Sequence, residues 1–143
     1  MDPVLDIRGL HKTFTLYAAG NRTVEAVRGV SLRVGAGEHV ALAGPSGAGK
    51  SSILKCVYRT YLPSAGTIHF WPASAGAPVD LARLPDREVA GLRHTEIAYV
   101  SQFLRAEPRR SALTVVARAG MRGGMDARLA AHAAAETLGR LRL

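Results

Sequence analysis

The sequence holds a single cysteine, Cys56, and no apolar run approaching the roughly 18 residues that cross a membrane. One thiol excludes an internal disulfide framework and fits a reducing compartment. Asp2 and Asp6 stand near the N-terminus without a basic-then-apolar pattern, so no secretion signal is read, and a cytoplasmic protein without direct membrane insertion is expected. Aromatic residues make up only 6% of the chain and do not alternate with its arginines. That argues against a base-stacking platform. The charge is unbalanced, with 19 basic against 11 acidic residues for a net +8. The arginines are scattered from Arg8 to Arg142 and only Arg109 and Arg110 adjoin. A solvated basic surface, or one that docks an acidic partner, fits better than a nucleic-acid groove.

What is present is enough for one domain. The chain has 143 residues, of which 48% are apolar, ordinary for a protein that buries a core. Loose alternation over Val4–Phe14, and again over Val24–Val34, predicts two strands joined through a turn at Gly20-Asn21. His39–Gly44, "HVALAG", is a nearly continuous apolar run, the pattern of a strand covered on both faces in a parallel sheet. A helix is expected from Lys50 to about Arg59, a strand over Thr67–Trp71, and a loop over "PASAGAP". From Leu84 the pattern turns helical, with Pro85 suited to a first turn and Asp86 and Glu88 to a helix N-terminus. Glu96–Gln102 predicts a short strand, and Phe103–Arg110 an irregular stretch. Ser111 can cap a helix to about Arg118, Arg122–Gly124 breaks it, and Asp126 can cap a last one. That last helix shows no stop signal, its apolar periodicity running to the final "GRLRL".

One stretch carries chemistry. Gly44-Pro45-Ser46-Gly47-Ala48-Gly49-Lys50-Ser51 fits the phosphate-loop pattern, Walker A. A loop that wraps a polyphosphate must aim backbone N–H groups inward, which needs unusual dihedrals and no intruding side chains. The helix starting near Lys50 points its positive end at the same phosphates. Lys50 would neutralise β and γ oxygens, Ser51 would place a hydroxyl on Mg²⁺, and Ser52 would support the α-phosphate side. ATP and Mg²⁺ are the expected ligands. A Gly-rich turn without function could match the pattern, but the apolar run before it and the helix former run after it are the context the motif requires.

The stretch "GVSLRVGAGEHVALAGPSGAGKSSILK" resembles the start of an ATP-binding cassette (ABC) protein, and "IAYVSQ" resembles the Q-loop of that family. The resemblance implies an α/β P-loop NTPase fold: an antiparallel β layer, a parallel sheet core and the start of a helical subdomain. It places the core at about 1–101 and the Q-loop with the helical part at about 102–143. It makes Gln102 the residue that approaches Mg²⁺ and the attacking water. It makes Phe14 the ring that stacks on adenine, with Tyr17 in reserve and a plain core role as the competing reading. "LHKTFTLYAAGN", "VDLARLPDREVAGLRHTEIAYVSQFLR" and "PRRSALTVVA" further resemble the L-subunit family of the phosphonate carbon–phosphorus lyase system. That narrower resemblance implies an ATPase subunit that pairs with a second cassette and with soluble lyase components. The ATPase of an ordinary ABC transporter and a docking module that holds ATP without turnover are the alternatives. A P-loop kinase would explain neither the antiparallel entry nor "YVSQ".

Several parts of a working cassette have no match. No apolar run ends in Asp followed by Glu after Lys50: Asp80 follows "GAPV", Asp86 "ARLP" and Asp126 "RGGM", while Glu136 follows "HAAA" without the Asp. "MRGGMD" has paired glycines but Arg122 where the family's signature loop has serine, so it reads as an interhelical turn. His132, on the last helix, reads as a surface residue and His39 as structural. The expectation is an N-terminal piece of a cassette that binds MgATP weakly and hydrolyses it hardly at all.

Overall fold

The computed structural model describes residues 3–103 and 108–142. It divides into two compact units, Met1–Glu96 and Ile97–Leu143, each described by itself below.

The first unit is built on a four-stranded antiparallel sheet. Strands β1 (Pro3–Leu16) and β2 (Arg22–Gly35) form a long hairpin, β3 (Ala65–Phe70) pairs on the other side of β1, and the short β4 (Val79–Asp80) closes the order β2-β1-β3-β4. The alternation that predicted β1 and β2 buries Ile7, Leu10 and Val27, and β3 adds Ile68 and Phe70. Both hairpin strands run longer than the sequence pattern, because the exposed residues near the turn pair through their backbones whatever their side chains. Leu16 still faces Arg22 across the ladder. The turn has one 3-10 turn at Tyr17–Ala19 and left-handed backbone at Gly20 and Asn21, the residues expected there. β4 falls next to the expected loop and went unpredicted, since two residues carry no period. Its Asp80 carboxylate accepts from the backbone N–H of Ile68 at 3.1 Å and of Ala82 at 3.0 Å.

Two helices complete this unit. Helix α1 (Lys50–Val57) buries Ile53 and Cys56, three residues apart on one face. It ends where Arg59 takes a left-handed φ of 61°. The Arg59 guanidinium is nearly buried and ties the chain together: it donates to the Leu81 carbonyl and, at 2.7 Å, to the Leu84 carbonyl, with Asp86 at 3.5 Å. Helix α2 (Asp86–Thr95) starts one residue later than expected, with Pro85 in the capping position rather than in the first turn. Arg93 reaches back to donate to the Tyr58 carbonyl at 2.7 Å and lies over the Tyr58 ring. Beyond α2, Glu96 clamps the 72–75 turn by accepting from Ala73 N–H at 2.8 Å and Ser74 N–H at 3.0 Å. The Ser74 hydroxyl and these two amides hold its carboxyl below the usual carboxylate range.

Two expected strands do not form. His39–Gly44 and Glu96–Gln102 carry no ladder among the described residues, and the only sheet there is antiparallel. The expected α/β class stands, with the antiparallel layer and the helices present and no parallel pairing among the described residues. A strand exists only against a hydrogen-bonding partner, and an apolar run records burial without supplying that partner. Val40 and Val100 stand exposed as a result, and His39, expected to be structural, is exposed too.

The second unit holds helices α3 (Ala112–Arg122) and α4 (Ala127–Arg140). Ser111 caps α3 by accepting from Thr114 N–H at 3.2 Å, and Asp126 caps α4 by accepting from Arg128 and Leu129 N–H at 2.9 Å each. Between them the Arg122–Gly124 break holds, with Gly123 at the C-cap of α3. Helix α4 stops at Arg140 despite the periodic sequence beyond, and His132 on it is exposed, as expected. Of the irregular Phe103–Arg110 stretch, residues 104–107 lie outside the described residues.

Candidate functional site

The site grows out of the turn between the 39–44 segment and α1. Gly44, Gly47 and Gly49 take φ values of 147°, 82° and 87°, a region that side chains disfavour. Gly49 is fixed for a second reason. A Cβ there would stand 2.1 Å from the Ala26 carbonyl oxygen, so the loop presses directly against β2 and no other residue fits. The loop closes on itself through Ala48 N–H donating to the Pro45 carbonyl at 3.3 Å, and α1 begins with Ile53 N–H donating to the Gly49 carbonyl at 3.0 Å.

This geometry leaves donors facing outward. Gly49 is the N-cap of α1 and no side chain caps that end, so the first-turn amides have no intrahelical acceptor. Lys50 folds back over the loop and donates to the carbonyls of Gly44 at 2.7 Å and Pro45 at 2.6 Å. An ammonium held by two carbonyls on the rim of an exposed loop can turn to an anion without breaking an ion pair with either of them. Pro45, Ser46, Gly47, Ala48 and Ser51 are exposed, while Lys50 and Ser52 are half-buried. The predicted residues 44–52 are thus gathered into one loop and one helix end. Beside them lies a hollow of about 330 Å³, lined by Glu25, Val27, Arg28, Gly47, Ala48 and Ile53 among others. The donor set of amides, one ammonium and two hydroxyls suits a polyphosphate with its Mg²⁺. Behind the loop, burial raises the pKa of the Cys56 thiol, which keeps it protonated and unreactive.

Phe14 belongs to the same unit, on β1. Its half-buried ring meets Tyr61 edge-on, with centroids 5.0 Å apart and planes at 79°. Tyr17, the reserve candidate, is 80% exposed in the hairpin turn. Gln102 lies in the second unit, exposed, one residue from Ser101, whose hydroxyl donates to the Phe103 carbonyl at 2.9 Å. Sequence reasoning missed Lys12 and Tyr61, which surround Phe14. The spacing of Lys12 two residues before Phe14, on one face of a strand, was the available signal. Among the described residues no cluster of three metal-ligating side chains occurs, and no helix is long and apolar enough to cross a membrane.

Comparison with known proteins now places the chain. Residues 27–142 match the family model described as ABC transporter. The lipoprotein-releasing system ATP-binding protein LolD of Cereibacter sphaeroides is 35% identical over 141 residues, covering 99% of this chain and 59% of that protein. The pyoverdine export ATP-binding/permease protein PvdT of Pseudomonas aeruginosa is 35% identical over 127 residues, 87% of this chain and 18% of that protein. Among solved structures, the dimeric ATP-binding cassette MJ0796 bound to ADP and Pi superposes with a TM-score of 0.79 at 26% identity, covering 97% of this chain and 57% of that one. The chain thus spans about three fifths of the length of LolD. By their names LolD and PvdT serve release and export, and neither they nor MJ0796 supports the narrower resemblance to the phosphonate lyase L subunit. A family match across most of the chain, a relative aligned over nearly all of this chain and a shared fold lead to one conclusion: the chain belongs to the ABC transporter family.

Proposed function

We propose that this chain is the MgATP-binding part of an ABC transporter's ATPase subunit. The phosphate loop carries the reading: left-handed glycines, an uncapped helix end and a lysine held only by hydrogen bonds to loop carbonyls converge on residues 44–52. Lys50 leaves the Gly44 and Pro45 carbonyls for the β and γ oxygens, and the backbone amides of the loop take the remaining phosphate oxygens. Ser51 offers its hydroxyl to Mg²⁺, and Ser52 supports the α-phosphate side. Bound Mg²⁺ neutralises charge on the oxygens of the transferred phosphoryl group. Phe14 stacks on adenine. Gln102 is the residue that would approach the metal and the attacking water and couple nucleotide state to a partner.

A transporter subunit fits better than a phosphonate lyase component, because the supporting relatives are named for release and export. A second cassette is the natural partner, as MJ0796 is dimeric in its solved structures. A membrane permease is the other, and the cytoplasmic face of a membrane the place of work. The sequence has no apolar run that ends in Asp followed by Glu, and the chain alone is expected to turn ATP over slowly if at all. Thermal unfolding with MgATP and with MgAMP tests the reading. Stabilisation by MgATP but not by MgAMP is expected, since AMP lacks the β and γ phosphates that Lys50 would hold. Equal response to both would contradict it.

A further inference from the structure

Phe14 sits in a cluster that no phosphate chemistry requires. Lys12 Nζ lies 4.7 Å from the Phe14 ring centroid and donates to the Leu62 carbonyl at 3.0 Å. Tyr61 meets the same ring edge-on. Lys55, on α1, places its Nζ 5.1 Å from the Tyr61 centroid and 3.4 Å from the Tyr61 hydroxyl. A ring on a strand surface is therefore pinned by an ammonium and a second aromatic, both anchored to the chain that follows the phosphate loop.

The cluster's position gives it a use. Gly49 presses on β2 at Ala26, and the neighbouring Val27 pairs with Lys12 on β1. Phe14 is two residues further along the same strand, about 7 Å at the usual rise. Tyr61, whose N–H donates to the Lys55 carbonyl at 3.1 Å just beyond α1, meets the Phe14 ring, and Lys55 reaches the cluster through Tyr61. A nucleotide gripped at its phosphates by the loop has its base end within reach of this ring. A mobile ring loses rotamer freedom when it stacks, and a ring already fixed does not.

We propose that Tyr61 is a positioning residue for base recognition: its ring, in T-shaped contact with Phe14, holds Phe14 in a set orientation together with the Lys12 ammonium before the nucleotide arrives. This rests on the reading of Phe14 as the adenine-stacking ring. Tyr61 touches neither phosphate nor base. It acts through Phe14, so its removal weakens binding of a ligand with a base and spares a ligand without one.

The test is titration calorimetry of the chain with MgATP and, separately, with magnesium tripolyphosphate, which has no base. Variants Phe14→Ala, Tyr61→Ala and Tyr61→Phe are compared after circular dichroism shows native helix and strand content. Expected are a loss of about tenfold in ATP affinity for Phe14→Ala, about threefold to fivefold for Tyr61→Ala, and a value near wild type for Tyr61→Phe, which keeps the aromatic ring. Tripolyphosphate affinity stays unchanged in all three. An equal loss for both ligands in Tyr61→Ala, no loss for either, or a loss in Tyr61→Phe matching that in Tyr61→Ala overturns the positioning role. Full ATP affinity in Phe14→Ala overturns the adenine reading itself, and the role of Tyr61 with it.

Discussion

The unit spanning residues up to Glu96 and the helical unit that follows are stabilised differently. The first buries Ile7, Leu10, Ile68 and Leu81 almost completely, while the second buries Ala117, Ala130 and Ala134 with Val116 packed at their side. A fully buried large aliphatic side chain contributes about 1.5–3 kcal/mol, and a methyl roughly a third as much. The helix pair makes up part of the difference by close approach. At Gly120 a Cβ would stand 3.1 Å from the Met125 sulfur and 3.3 Å from the Ala130 Cβ, so α3 and α4 meet through small residues. It also keeps Leu113, Met121, Met125 and Leu129 exposed. The sheet unit therefore provides a firm platform for the phosphate loop, and the helix pair is held largely by its caps and its small-residue contact.

That contrast can be broken at its strong end first. Ile68→Ala removes a side chain with no exposed surface from the centre of the sheet and is expected to cost about 2–5 kcal/mol, read as a fall in urea midpoint. A cost below about 1 kcal/mol would show the sheet is not the platform. In the helix pair the opposite change is the informative one. Ala134→Leu overfills a contact built for a methyl and is expected to cost about 1–3 kcal/mol, seen as lost hydrogen-exchange protection in α3 and α4. Asp126→Ala removes the cap of α4 and is expected to cost about 1 kcal/mol, measured in the same way.

The smallest effect concerns pH. Glu96 is held below its ordinary value of 4.5 by the Ser74 hydroxyl and the Ala73 and Ser74 amides. A carboxyl lowered on folding adds stability that is full above the unfolded value and is lost as pH falls through the folded one. Wild type should therefore lose stability below about pH 4.5 more steeply than Glu96→Gln, which carries no titrating group. Parallel curves for the two would remove Glu96 from the account.

Much of this architecture was legible in the sequence. Alternation gave β1 and β2, and Ser111 and Asp126 marked the starts of α3 and α4 because a capping side chain acts within three residues of itself. His39–Gly44 and Glu96–Gln102 misled for the opposite reason. Their apolar content was real, but a ladder depends on a second strand that local sequence does not contain. The phosphate loop was legible because its chemistry is written in consecutive residues. Nothing in Gly44 to Ser52 bears on any cargo. Tyr61 was hidden until the fold brought it from beyond α1 to the ring on β1.

The central claim is that residues 44–52 grip the phosphates of a nucleotide through backbone amides and the Lys50 ammonium. Calorimetric titration of the folded chain with MgATP, beside Lys50→Ala, tests it most directly. Saturable binding by the wild type that falls at least tenfold in the variant is the predicted result. No saturable binding by the folded wild type at millimolar nucleotide, or equal binding by both, would contradict it.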